Sequence, residues 1–178
     1  MIVERLVERI DWHALRSATG QSGFVPGAVS ELLGAATATE AEDAYWKLDN
    51  DVVVQGQMFE SALWLVHPLL VALCLPRPAF VREQIANLLV EIGCATPHER
   101  ELAAGGDPLL AARCADELRA GIATFYGLLD DPVPMLRLGG LDLLDVTERD
   151  RGRLRVVASG MRGDQDAKVA RRAIELSA

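Results

Sequence analysis

Residues 44–75 read AYWKLDNDVVVQGQMFESALWLVHPLLVALCL. Ala44, Tyr45, Leu48 and Val52 fall at i, i+1, i+4 and i+8, an apolar stripe with the period of a helix. Beyond Gln55-Gly56-Gln57 the same rhythm resumes at Phe59, Ala62, Leu63, Val66, Leu70 and Leu73. The stretch therefore predicts two amphipathic helices joined at a glycine, the first running to Val54 and the second starting near Gln57, with their stripes packed together. Pro68 lies inside the second pattern, where it removes a hydrogen bond and predicts a kink or split. Val52-Val53-Val54 and Arg155-Val156-Val157 are β-branched but sit within helical periods, so no strand is expected.

The flanking segments read as further units of the same kind. Ile2 to Arg16 predicts a helix with Ile2, Leu6, Ile10 and Leu15 inward, followed by a turn at Gly20–Gly23. Val25-Pro26 opens a helix to Gly34 with Val29, Leu32 and Leu33 as its apolar face. Thr39 with Glu42 three residues on has the form of a capping box for the next helix. After the stop at Leu75-Pro76-Arg77-Pro78, Ala79 to Ile92 carries Val81, Ile85, Leu88, Leu89 and Ile92 on one face, and Gly93 sits where a C-terminal cap glycine belongs. Residues 94–107 are the least regular part. Asp107-Pro108 starts a long helix to about Leu129, and Asp131-Pro132 repeats the signal for the next, in which Gly139-Gly140 permits close approach of a neighbour. A helix over roughly Glu148–Arg162 and a last one capped by Asp164 follow.

With 178 residues, half of them apolar and only 5% aromatic, the composition suits one all-α domain of aliphatic helix-on-helix packing. The net charge of −8 argues against a general nucleic-acid binder. It hides an asymmetry: residues 1–148 hold 22 acids against 10 bases, while residues 149–178 hold 8 bases against 4 acids. The opening MIVERLVERI mixes charges among its apolar residues, unlike a signal peptide. The longest apolar run, Ser61 to Pro76, is interrupted by His67-Pro68 and is short for a bilayer span. Three cysteines without a C-x-x-C pair suit a reducing compartment, and the expectation is a soluble cytoplasmic protein with no membrane contact.

No catalytic constellation is present. Cys94 and His98 with Cys74 or Cys114 make a poor metal signature, and buried structural cysteines explain them better. His67 reads as a core or kink histidine. Ser61 and Ser159-Gly160 lack the context of a serine nucleophile, and neither a G-x-G-x-x-G nor a P-loop occurs. The expectation is a non-enzyme with no metal and no cofactor.

Three segments repeat a pattern of turn signal, aliphatic residue, arginine and later apolar residues: Arg77-Pro78-Ala79-Phe80-Val81-Arg82, Asp131-Pro132-Val133-Pro134-Met135-Leu136-Arg137, and Asp164 through Val169-Ala170-Arg171. This resembles the HEAT repeat, which implies a right-handed α-α superhelix, here of about nine helices in about four to five repeats. The N-terminal half is similar to HEAT-like proteins of bacteria, largely actinobacteria, at Asp11-Trp12, Gly20, Val25-Pro26, Leu32-Leu33, the Ala44–Leu48 helix, Gln55-Gly56 and Val66-His67-Pro68-Leu69-Leu70. It departs from them at Val54, where they usually show His, and at Leu69, where Phe is frequent. That resemblance implies an interaction module: some similar proteins look like immunity partners of toxins, others like scaffolds.

Residues 31–60 contain seven acids against Lys47 alone. Glu42, Asp43, Asp49, Asp51 and Glu60, with Gln55, Gln57 and Trp46 or Trp64 beside them, form a candidate acidic surface for a basic protein partner, with a tryptophan as anchor. An acidic face that only keeps the chain dispersed in water is the competing explanation. The alternative surface is Arg149, Arg151, Arg153 and Arg155, whose alternation cannot place all four on one helix face. It suits phosphate or nucleic acid, which would make the chain a HEAT-like nucleic-acid-binding or enzyme-associated subunit; the strongly acidic remainder argues against nucleic acid and favours the cap of a repeat stack or, in a self-associating scaffold, the acidic end of a second copy. Sequence leaves the oligomeric state open.

Overall fold

A computed structural model describes residues 2–20 and 22–178. They are mostly helical: α1 (Ile2–Glu8), α2 (Val25–Gly34), α3 (Ala38–Val52), α4 (Glu60–Leu73), α5 (Ala79–Cys94), α6 (Glu99–Ala103), α7 (Leu110–Arg119), α8 (Ile122–Leu128), α9 (Pro134–Thr147), α10 (Arg151–Gly160) and α11 (Ala167–Leu176). Short 3-10 turns cover Trp12–Ala14 and Ser22–Phe24. The Gly20–Gly23 turn includes Gln21, which lies outside the described residues.

The apolar stripes fix which helices meet. α2 packs on α3, α3 on α5, α5 on α9 and α9 on α11, while α4 packs on α5 and α7, α8 on α9, and α10 on α11. Leu48, Leu65, Ile85, Leu89, Leu118 and Leu141 are among the fully buried side chains. Each contributes about 1.5–3 kcal/mol by leaving water. The glycine pair of α9 acts at this contact: a Cβ at Gly140 would sit 3.0 Å from the Phe125 carbonyl oxygen of α8, and one at Gly139 would sit 3.3 Å from Ala86 Cβ of α5.

Two of the repeated arginines join successive helices. Arg82 Nη1 of α5 lies 2.8 Å from Asp131 Oδ2 before α9. Arg137 of α9 grips Asp164 before α11 with both Nε (2.8 Å) and Nη2 (2.7 Å), the two-point geometry that favours guanidinium. Asp166, not Asp164, caps α11 by accepting from the Lys168 and Val169 amides.

The chain departs most clearly from helical periodicity between α3 and α4. The helix stops at Val52, and Val53–Val54 pairs antiparallel with Gln57–Met58; Thr96–Pro97 adds a parallel third strand. Gln55 (φ 52°) and Gly56 (φ 74°) both take left-handed backbone, as a two-residue hairpin turn demands. The β-branched valines thus obey their strand preference once Thr96 and His98 supply hydrogen-bond partners at Gly56 O (3.0 Å) and Met58 O (2.9 Å).

Smaller corrections follow from packing. In α1, Val3 and Val7 are buried while Ile2 is 58% exposed, so the inward face lies one residue on from the expected one. Thr37 rather than Thr39 caps α3, accepting from the Glu40 amide. α4 runs unbroken through Pro68, which is itself buried beside Leu65, Val66 and Leu69; that burial offsets the lost hydrogen bond. Gly93 is inside α5, where a Cβ would meet Val146 Cγ1 at 2.9 Å: it serves contact with α9, not a cap. The long helix expected after Asp107 divides at Ala120–Gly121, where a Cβ on Gly121 would meet Leu70 Cδ2 of α4 at 2.5 Å.

Candidate binding groove

Helices α3, α5 and α9 each bury one face and turn another toward a common cleft. On α3, Ala41, Ala44, Leu48 and Val52 go inward, leaving Glu42 and Trp46 outward. On α5, Gln84, Asn87 and Glu91 stand at i, i+3 and i+7 opposite the apolar face. On α9, Met135, Leu138, Gly139 and Asp142 follow the same spacing. Together with Tyr45 and Val90 they line an open cleft of about 370 Å³. No Lys, Arg or His is among its lining residues. Trp46 is 49% and Met135 38% exposed, so each offers apolar surface at the mouth. The Tyr45 and Trp46 rings meet edge to face at 5.1 Å.

Carboxylates gather in and around this cleft, and only part of their charge is compensated. Asp49 is half-buried and hydrogen-bonded to Tyr45; burial, and then the charge of Glu91, push its pKa above the ordinary aspartate range. Burial, Asp49 and Glu91 raise the Tyr45 hydroxyl as well. Asp142 is raised by burial, against the pull of Arg172. Arg172 of α11 closes the far end: its Nε is 2.6 Å from Asp142 Oδ1 and its Nη2 2.8 Å from Asp145 Oδ2. A guanidinium from the chain itself therefore already seats beside Asp142, while the lining Glu42 and Glu91 and the adjoining Asp49 have no ion pair among the described residues.

The expected acidic surface is not one surface. Glu42 and Trp46 line the cleft, and Asp49 adjoins it through its hydrogen bond with the lining Tyr45. Asp43 faces the opposite edge of α3, in a shallow hollow shared with α2. Asp51 is 1% exposed and cannot meet a partner; it accepts from the Thr19 hydroxyl at 2.6 Å and pins the 17–20 loop. Gln55 is exposed at the hairpin tip and Gln57 is half-buried in the second strand. Glu60 is bound to Arg16 (2.9 Å), which also holds the buried Glu101 (2.8 Å). Asp51 and Glu60 are thus internal clamps. Spacing could not distinguish them from surface acids, because burial depends on loops far away in sequence. Glu91, Asp142, Gln84 and Asn87 were missed. Their i, i+3, i+7 spacing on α5 was readable, but its neighbourhood with Glu42 was not.

Trp64 is also exposed, on α4, in a separate apolar cleft with Leu6, Ile10, Leu63 and Pro68. His67 stands at its edge, 3.4 Å from Glu117, and is exposed rather than in the core. Of the cysteines only Cys114 is buried; Cys74 and Cys94 are exposed, which corrects the expectation for those two. Among the described residues, no group of three or more His, Cys, Asp or Glu side chains could hold a metal ion. None of the described helices is long and apolar enough to cross a membrane.

The C-terminal arginines are largely spoken for. Arg149 pairs with Asp116, Arg151 with Asp145, and Arg153 with Glu148 and Asp150. Arg155 is exposed without an ion pair among the described residues.

No family model matches the chain. No curated protein matches it either.

Proposed function

We propose that this chain is a non-enzymatic protein-interaction module, a HEAT-like right-handed superhelix that binds a basic partner in the α3–α5–α9 cleft. The observation that carries this reading is the cleft itself: Glu42, Glu91 and Asp142 line it beside half-exposed Trp46 and Met135, with no lining cation, and Asp49 stands behind its wall on Tyr45. An arriving lysine or arginine would offset the repulsion between Asp49 and Glu91, whose charges no ion pair among the described residues neutralises. Trp46 supplies a flat apolar face for the stem of such a side chain or for its cation. The ladder of Arg82–Asp131 and Arg137–Asp164 supports the superhelix, because each rung ties one helix to the start of the next in the series α5, α9, α11. An immunity-type inhibitor of a basic toxin or effector is the most specific form of this function. The pairing of Arg149, Arg151 and Arg153 leaves a phosphate-binding role at the C-terminal end with little free charge.

The test is a pull-down at low and high salt, run in parallel with the Glu42→Lys, Glu91→Lys double variant. The expected result is a basic protein held by the wild type, released by salt and lost by the variant. A partner retained equally by the variant overturns the cleft as the binding site.

A further inference from the structure

The two ends of the helix series are unlike and complementary. α11 packs on α9 and α10, burying Val169, Ala173 and Leu176, and leaves Lys168, Arg171 and Ile174 exposed on its opposite side. In α5 and α9 the residue after the first buried aliphatic is an arginine that reaches the next unit; in α11 that place is Ala170, so the ladder stops. What the open face carries instead is Lys168, Arg171 and a 55% exposed Ile174, with Arg171 and Ile174 on one stripe. Neither cation forms an ion pair among the described residues.

At the other end α2 and α3 enclose a shallow hollow of about 600 Å³. Its floor is small: Gly27 and Gly34 stand seven residues apart on one face of α2, and a Cβ on either would meet no atom within 4 Å. Its rim is Glu31, Glu40 and Asp43 against Lys47, which Glu31 already neutralises at 2.6 Å. A floor without side chains admits a helix ridge, and the acidic rim matches the cations of α11.

We propose that copies of this chain associate head to tail, the Arg171–Ile174 ridge of α11 in one copy seated in the α2–α3 hollow of the next. The contact is heterologous, so each copy keeps one free end and assembly proceeds beyond a dimer, as a ring or an open chain. A single helix ridge buries less than the ~1,200 Å² of a standard interface, so association is weak and concentration-dependent. This inference uses neither the α3–α5–α9 cleft nor its partner.

The chain has two lysines, and they lie at the two ends: Lys47 in the hollow and Lys168 beside the ridge. A mixture of isotopically light and heavy protein, treated with a short amine-reactive cross-linker, should give Lys47–Lys168 links between copies. Sedimentation velocity should show mass growing with concentration at low salt. Arg171→Glu and Asp43→Arg should each weaken this association roughly tenfold, and mixing the two variants should restore it. Both positions are exposed, so the variants should keep the wild-type helical circular dichroism. A monomer at every concentration overturns the proposal. So do links dominated by Lys47–Lys47 or Lys168–Lys168, or an association that neither substitution weakens.

Discussion

Replacing one glycine by alanine at two places should change stability in opposite directions. Gly127 lies in α8, and a Cβ there would meet no atom within 4 Å, whereas a Cβ at Gly140 in α9 would lie 3.0 Å from the Phe125 carbonyl oxygen, 3.0 Å from Leu128 Cβ and 3.1 Å from Leu129 Cδ2. In both helices alanine gains up to ~1 kcal/mol by lowering the entropy of the unfolded chain. At Gly127 nothing opposes that gain. At Gly140 two of the three obstacles are a backbone oxygen and a Cβ, which cannot rotate away, so α8 and α9 must move apart. Overpacking of that kind costs about 1–3 kcal/mol, leaving Gly140→Ala net destabilised by about 1 kcal/mol. The two variants should thus differ by roughly 2 kcal/mol in urea unfolding, equal to about 4–8 °C in Tm for a chain of this length. Equal stabilisation of both variants would refute the α8–α9 contact and the placing of Gly140 within it.

Three further outcomes follow from named contacts. Glu101→Ala should cost about 2–4 kcal/mol, because Arg16 and the Glu60 amide lose a carboxylate that is 1% exposed; Glu101→Gln, which keeps the shape, should cost less in the same denaturant titration. Asp49→Asn should raise Tm at neutral pH while weakening capture of a basic partner. The folded pKa of Asp49 is raised, so its ionisation costs stability at high pH, and that cost is relieved as pH falls through the raised value; the variant should therefore show a flatter Tm profile between neutral pH and the carboxylate range. In thiol labelling of the native protein, Cys74 and Cys94 should react and Cys114 should not, since burial pushes the Cys114 thiol up to about 12; Cys94 should show a rate that climbs only at pH above the ordinary thiol range, because burial and then Glu91, Asp142 and Asp145 raise it. Fast native-state labelling of Cys114 would refute its position against Met58.

The acidic character of residues 31–60 was plain in the sequence, yet only part of it reaches one site. Glu42 and Trp46 of α3 are in the cleft, whereas Asp51 of the same helix is sealed by the 17–20 loop and Glu60 is held by Arg16. Helical period predicts which side of its own helix a residue takes. It is silent on which loop covers that side. The same gap hid Glu91 and Asp142, whose significance comes from standing opposite Glu42 across helix pairs that are distant along the chain.

The sequence by itself determined the helices. Their apolar spacing, the start at Val25-Pro26, the break at Leu75–Pro78 and the glycine pair of α9 are local facts, set by backbone geometry within a few residues. Tertiary structure alone decided the rest. Val53–Val54 became a strand because Gln57–Met58 pairs with it and is itself held on its other side by Thr96–Pro97. Gly121 divided a helix because Leu70 approaches it from α4. The cleft exists because α3, α5 and α9 lie side by side, which no local pattern encodes, since it brings residues more than forty positions apart, such as Glu42 and Glu91, to the walls of one cleft.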